Sequence, residues 1–483
     1  MGNKIFSRKN LYISIAVAAL LLIHLLPQLP ALIRNGEEIA LTNEGKSTLA
    51  VLTFSVILWV TEAIPFPITG LVSLLLLPLI GSIQFSQAVN MGFGNTIVVF
   101  FIAVMTISAA LTYSGLTNRL ALMMLSKIGL RSDLVILSFF IVGAVLSMWV
   151  TNMAVAAMLL PVGIGILKEA KMEPLKSNFG KCLMISIAWS CAIGGIATPV
   201  GNGANILAMG YLRDLAGVEI TFIKWMSVGL PATVLITIPA WFSLLKIFPP
   251  EVKELPLSKD KISQDLKELG DLNHKEKWTL IIFSVAVFLW LFDPLIKSTF
   301  NFSLPTEVVA LIAAVLLFLP SVNVLSWKEA EGIIDWGAIV LIASGLSIGM
   351  SLYETGAARW LAWATLSNIG MLSVPVRIFA VVLIVELLKI SFSSNTVTGL
   401  IIIPIVIALS VELGLDPWLV AGPAAIATSL AFILITSSPT NVIPYSAGYF
   451  TIRDFAKAGI AITLIAAICV TISFVVFGVI IPG

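Results

Sequence analysis

Apolar runs of about 17 to 25 residues recur from Leu11 to the C-terminus, each long enough to cross a hydrocarbon layer as a helix. No water is present in that layer to bind free N–H and C=O groups, so a chain of this pattern is restricted to helices that satisfy their own backbone. Composition points the same way. With 59% hydrophobic and 11% charged residues among 483, one water-soluble core could not hide the apolar surface. The sequence therefore reads as an all-α polytopic membrane protein. A net charge of +2 without a long basic tract gives no reason to expect nucleic acid. Cys182, Cys191 and Cys469 lie in or beside apolar segments without metal-ligand spacing, and read as packing residues.

Lys4, Arg8 and Lys9 precede the first run, as they would in a signal peptide, but the run from Leu11 to Ile33 is too long and lacks a small-x-small cleavage site. It reads as a retained span with its basic end in the cytoplasm, and His24 within it as a helix contact. Further spans are expected near 48–63, 66–82, 95–125, 182–212, 222–248, 278–298, 304–320, 337–365, 417–448 and 456–481. The polar stretch "EVKELPLSKDKISQDLKELGDLNHKEK" (Glu251 to Lys277) reads as a cytoplasmic linker with an amphipathic or surface helix, and His274 as solvated. Arg131, Lys168, Lys171, Lys176 and Lys181 crowd one side, which gives a cytoplasmic N-terminus and an outside C-terminus in a cell membrane.

The linker separates two similar halves. "LTYSGLTNRLALMMLSKIG" (Leu111 to Gly129) aligns with "LYETGAARWLAWATLSNIG" (Leu352 to Gly370), pairing Gly115 with Gly356, Leu120 with Leu361, Ala121 with Ala362, Ser126 with Ser367 and Gly129 with Gly370. With an odd number of spans per half the second copy is upside down, an inverted repeat. The expected organisation is an N-terminal span and loop (1–47), a first repeat (48–250), the linker (251–277) and a second repeat (278–483).

Each half then carries a hydrophobic hairpin with a polar tip, near 133–168 and 375–411. The tips hold Ser147, Thr151 and Asn152 in one half, and Ser393, Ser394, Asn395 and Thr396 in the other. Arms of about fifteen residues suit re-entrant loops better than full spans. Ser, Thr and Asn are good helix N-caps, so each tip should start a helix whose free N–H groups form an anion site inside the membrane. Downstream, "GGIATPVGNGANILAMGY" (Gly194 to Tyr211) and "FILITSSPTNVIPYSAGY" (Phe432 to Tyr449) interrupt apolar spans with small, hydroxyl or proline residues. Broken helices in corresponding positions of two halves point to a transporter's midplane site, where unwound carbonyls can hold a cation. Polar helix packing explains one such stretch; four arranged by repeat favour the site.

These stretches, with the opening "LWVTEAIPFPITGLVSLLLLPLIG" (Leu58 to Gly81) and the asparagines Asn205 and Asn441, resemble the divalent anion:sodium symporter family over nearly the whole chain. The resemblance implies about 11 transmembrane helices plus the two re-entrant hairpins. It also implies a homodimer with scaffold and elevator-type transport domains, and carriage of dicarboxylates, tricarboxylates or sulfate. It implies that Thr151, Asn152, Asn202, Ser394, Asn395, Thr396, Ser438 and Pro439 meet substrate. The sodium sites it implies use Ser147, Thr151, Asn152 and Gly201 in the first case, and Asn395 and Ser437 in the second. The chain departs from the family at Met153, at the "GNGAN" turn (Gly201 to Asn205) and at Ile390, which stands where a hydroxyl is usual.

Lys389 adjoins Ile390, and a lysine at membrane depth is costly unless paired or functional. It either pairs with Glu386 one helical turn earlier or supplies, in place of sodium, the positive charge opposite the substrate. The second reading makes the protein a dicarboxylate exchanger, toward which the sequence leans slightly, with sodium-coupled symport as its alternative. No cofactor is expected apart from Na+. A Ser-Lys hydrolase built on Lys389 and Ser393 or Ser394 would leave the first hairpin unexplained, and a pore would not need helix starts aimed at one point.

Overall fold

The computed structural model describes residues 2–28, 31–34, 37–126, 129–255, 264, 266–302 and 304–478. Helix starts follow local capping chemistry. Thr42 accepts from the Gly45 N–H at 2.9 Å to open Asn43–Thr61, and reciprocal capping boxes open His274–Phe300, Trp327–Ile333 and Ile452–Phe477. Among the described residues, eight helices are long and apolar enough to cross a membrane, and five shorter apolar helices accompany them. Most of the expected linker helix, and the C-terminal tail from 479, lie outside the described residues.

Three expectations are corrected. The first span ends at Leu25 rather than Ile33, because Pro27 interrupts the helical pattern. Beyond it Leu32–Arg34 pairs antiparallel with Glu37–Ile39, a two-stranded ribbon in an otherwise helical chain. The spans expected at 95–125 and 337–365 each divide at the aligned glycine. Thr96–Tyr113 yields to Leu116–Leu125 at Gly115 (φ 87°), and Trp336–Glu354 to Ala357–Leu366 at Gly356 (φ 73°). Both glycines hold the left-handed conformation that a side chain would strain, so the repeat motif marks the same turn twice. His274, expected to be solvated, is half-buried, with Nε2 3.0 Å from the Val322 carbonyl oxygen.

Contacts group the chain into two interleaved units, Met1–Val99 with Ile206–Ile220 and Asp335–Thr428, and Phe100–Asn205 with Thr221–Ile334 and Ser429–Gly483. In the first, Gly2–Leu25 packs on Asn43–Thr61 through Ala16, Leu20, Ala50, Phe54 and Leu58. Trp336–Glu354 is its central helix and packs against Phe66–Leu79, Phe85–Gly92 and Asn395–Glu412. Small residues allow this approach: a side chain at Gly349 would collide with Tyr211, and one at Gly92 with the Ala343 carbonyl.

In the second unit Asn178–Gly194 is buried along nearly its whole length, against Ser132–Ser147 on one side and Asn152–Glu169 on another. Its start is tied to the segment after Phe222–Ile247, because the Phe179 N–H donates to Glu251 at 2.9 Å. Burial opposes ionisation of Glu251, but bonds from Ser177 and from backbone N–H groups outweigh it and hold the carboxyl below its usual range.

The same unit anchors the end of the linker. Arg119 donates to both Glu276 oxygens, at 2.7 and 3.0 Å, and to the carbonyls of Leu269, Gly270 and Asp271, with both charged side chains buried. Arg119→Ala should lower stability by about 3–5 kcal/mol, since it leaves a buried carboxylate unpaired, and Arg119→Lys should not rescue it because one ammonium cannot serve that fork. Thermal unfolding in detergent reads this; a Lys variant with wild-type Tm would refute it.

Candidate functional site

The first hairpin has arms Ser132–Ser147 and Asn152–Glu169 around the tip Met148–Thr151. Its second arm has 18 residues, about 27 Å as a helix, longer than the sequence suggested. Trp149 anchors the tip, stacking on Phe222 at 6.2 Å and meeting Phe283 edge-on at 5.2 Å, while Phe222 stacks in turn on Trp290. The Thr151 N–H donates to Ser108 Oγ at 3.3 Å. Thr151 occupies the cap position but its side chain makes no capping bond, so Asn152 opens the helix as its first residue rather than as its cap.

Around this tip the second unit gathers oxygen. Asn152 is 8% exposed, and its Oδ1 has no hydrogen-bond partner. Its carboxamide lies against Gly195, where a Cβ would stand 2.6 Å from Oδ1 and 2.8 Å from Nδ2. At Gly201 a Cβ would stand 2.6 Å from the Gly195 carbonyl oxygen and 2.9 Å from that of Ser147. Two backbone carbonyls from different segments thus converge on one glycine. Thr198 ties the broken helix to the tip, its hydroxyl donating to the Met148 carbonyl at 2.5 Å. Asn202 is spent on local structure, accepting from the Ala204 N–H at 3.0 Å.

The arrangement therefore brings Ser147, Thr151, Asn152 and Gly201 together, and adds Gly195 and Thr198, which the sequence reading passed over. The only signal for Gly195 was the Gly194-Gly195 pair just before the break. The donors are neutral oxygens, and among the described residues no group of three or more His, Cys, Asp or Glu could hold a metal ion. Uncharged hard oxygens suit a monovalent cation better than a divalent or thiophilic one. The same unit carries the second break, where Ile435–Ser437 forms one 3-10 turn and Pro439–Tyr445 packs on Asn152–Glu169 and Asn178–Gly194. Ser437 and Ser438 there are buried.

The second hairpin belongs to the first unit, with arms Val374–Leu388 and Asn395–Glu412. Here the cap is made, Ser394 Oγ accepting from the Val397 N–H at 3.3 Å. Asn395 again opens the helix, and its Oδ1 lacks a partner. Thr396 follows in the first turn, half-buried, and Ser393 donates to Glu62. Lys389 is 1% exposed, with Nζ 3.3 Å from the Phe392 carbonyl oxygen. Glu386 is equally buried, but neither of its oxygens accepts a hydrogen bond, so none joins it to Lys389.

A family model for the sodium:sulfate symporter transmembrane region matches residues 7–481. A sodium-dependent dicarboxylate transporter, SdcS, of Staphylococcus saprophyticus is 32% identical over 450 residues, 89% of this chain and 86% of the relative. Its counterpart in a Staphylococcus aureus strain is 32% identical over 444 residues, 88% and 85% of the two chains. In fold the chain is similar to the YdaH transporter of Alcanivorax borkumensis, with a TM-score of 0.59 and 13% identity over 98% of both chains. It is similar to the same degree to MtrF of Neisseria gonorrhoeae, at 0.59 and 11%, over 99% of this chain and 96% of that one.

The glycine cradle can be tested directly. Gly195→Ala should displace the Asn152 carboxamide and abolish uptake of labelled substrate, whereas Gly165→Ala, in the same hairpin but with nothing within 4 Å of the added methyl, should retain it. Equal activity of the two variants would mean that the cradle has no functional part.

Proposed function

This chain belongs to the divalent anion:sodium symporter family, and on that premise we propose that it is a secondary active transporter carrying dicarboxylates together with sodium. The observation that carries the reading is the oxygen cluster of the first hairpin, where the Ser147 and Gly195 carbonyls meet at Gly201 beside the partnerless Asn152 Oδ1. Sodium is the cargo such neutral ligands would hold. Within the second hairpin, the substrate's carboxylates would be met by donors of its tip: the free N–H groups at the start of Asn395–Glu412 and the Thr396 hydroxyl. Neither tip contains an arginine, which favours two carboxylates over three. The sodium-dependent dicarboxylate relatives support both halves of the reading. An elevator motion, a homodimer, a cytoplasmic N-terminus and an outside C-terminus complete the proposal.

A second reading rests on one specific observation. The Lys389 side chain, almost wholly buried, aims its ammonium at the carbonyl of Phe392 in the second tip. A resident cation there would oppose the substrate's charge without sodium, and the protein would then exchange one dicarboxylate for another.

Counterflow into proteoliposomes, with labelled succinate outside and unlabelled succinate inside, separates the two. Sodium-coupled transport predicts labelled uptake that collapses in sodium-free buffer, and loss of uptake in Asn152→Ala and Asn395→Ala with expression intact. Equal counterflow with and without sodium, made sodium-responsive or abolished by Lys389→Ala, would replace symport with exchange. Thr396→Ala should weaken succinate binding by about 1 kcal/mol or more, the worth of a hydrogen bond to a charged group, and Met153→Ala by less.

A further inference from the structure

Glu62 lies in the "LWVTEAIPFPITG" opening (Leu58 to Gly70), outside both hairpins and both helix breaks. It is the residue at which Asn43–Thr61 ends, and it stands there against two local preferences. Its backbone is left-handed (φ 49°, ψ 34°), a conformation that suits glycine and strains a glutamate. Its carboxylate sits at the negative end of a helix dipole, where a cation or a neutral residue is favoured. The turn itself does not need this side chain. Trp59 closes it by donating through Nε1 to the Phe66 carbonyl at 3.3 Å, and Ala63 is buried within it. Local chemistry thus gives no account of a glutamate at this position.

A distant partner does. Among the described residues the Glu62 carboxylate accepts from one side chain, the Ser393 hydroxyl, 331 residues away in the chain but in the same first unit. Ser393 immediately precedes the cap Ser394 and stands two residues before Asn395, where Asn395–Glu412 begins. On its other side, the Phe392 carbonyl oxygen lies 3.3 Å from the Lys389 ammonium. An anionic acceptor and a cationic donor thus grip successive residues of the chain as it approaches the tip. A hydroxyl bonded to a carboxylate is held more strongly than one bonded to a neutral oxygen. The bond therefore fixes the backbone from which the cap and the free N–H groups of the helix are presented. We propose that Glu62 is a positioning residue for the second tip, kept in a strained conformation because its carboxylate fixes Ser393 and, through it, the donors that meet the dicarboxylate.

This inference rests on the reading that the second tip meets substrate, and the experiment separates the two. Succinate KM is measured in proteoliposomes at saturating sodium, and Tm in detergent. Glu62→Gly removes both local penalties, so its Tm should equal or exceed that of the wild type, while succinate KM rises about fivefold or more. Ser393→Ala should raise KM to a similar extent, and the double variant no further than either single one, since both remove the same bond. Glu62→Gln, whose amide oxygen still accepts, should keep KM within about twofold of the wild type. Ser393→Ala and Glu62→Gln decide the matter if the Gly variant fails to fold. Wild-type KM in Ser393→Ala or in Glu62→Gly, or effects of the two that add, would overturn the inference. So would a fall in Tm and Vmax with KM unchanged, the mark of a merely structural role. Any of these results, where Asn395→Ala and Thr396→Ala do impair succinate binding, overturns the role of Glu62 alone. Unchanged succinate binding in those two variants overturns the reading of the tip and the role of Glu62 with it.

Discussion

Every backbone N–H and C=O within the hydrocarbon layer must find a partner inside the protein, because lipid supplies none. Continuous helices meet that demand by themselves; a broken helix does not. The breaks after Gly194 and Ser429 are therefore demanding places, and each is closed by one buried asparagine that reaches back ten and seven residues. The glycines at 195 and 201 follow from the same demand, because carbonyls turned out of a helix can converge only where no Cβ intervenes.

The two hairpin tips answer the demand differently. In the second, Ser394 caps its helix as its residue type favours. In the first, the Thr151 side chain caps nothing, and the tip is held instead by the Trp149 stack and by the bonds to Ser108 and Met148. Two hairpins of similar layout thus fix their turns in two different ways. Beside the second tip, Glu386 and Lys389 are buried within one helical turn of each other without sharing a hydrogen bond. A buried acid without a partner and a buried amine facing a backbone carbonyl are costly to maintain.

Away from the breaks, the structure uses ordinary membrane-protein devices. Small residues let helices approach, as Gly349 does beneath Tyr211, and serine and threonine hydroxyls return to carbonyls of their own or neighbouring helices. The Arg119 cluster is the exception. One guanidinium gathers a carboxylate and three carbonyls where the linker ends, pinning the chain as it re-enters the hydrocarbon layer at His274–Phe300.

Hydropathy determined the helical class, and local chemistry determined both hairpins to within a residue or two of their arms, since span length and cap residues are properties of contiguous sequence. The aligned Gly115 and Gly356 were legible as a repeat, but not as breaks, because positive φ is a backbone outcome that the surrounding apolar run conceals. Pro27 was visible, and the first helix stops at Leu25, two residues before it, although the apolar run continues. Asn152, Asn395, Asn205 and Asn441 stood out as polar residues where polarity is expensive. Only the tertiary structure decided what each does. The Asn152 carboxamide is set by Gly195, 43 residues away in the chain, whereas Asn205 and Asn441 clamp carbonyls only seven and ten residues back, a choice that hydropathy does not reveal. For Lys389 and Glu386 the spacing allowed a hydrogen bond, and the structure places the ammonium 3.3 Å from the Phe392 carbonyl oxygen while no hydrogen bond reaches the Glu386 oxygens.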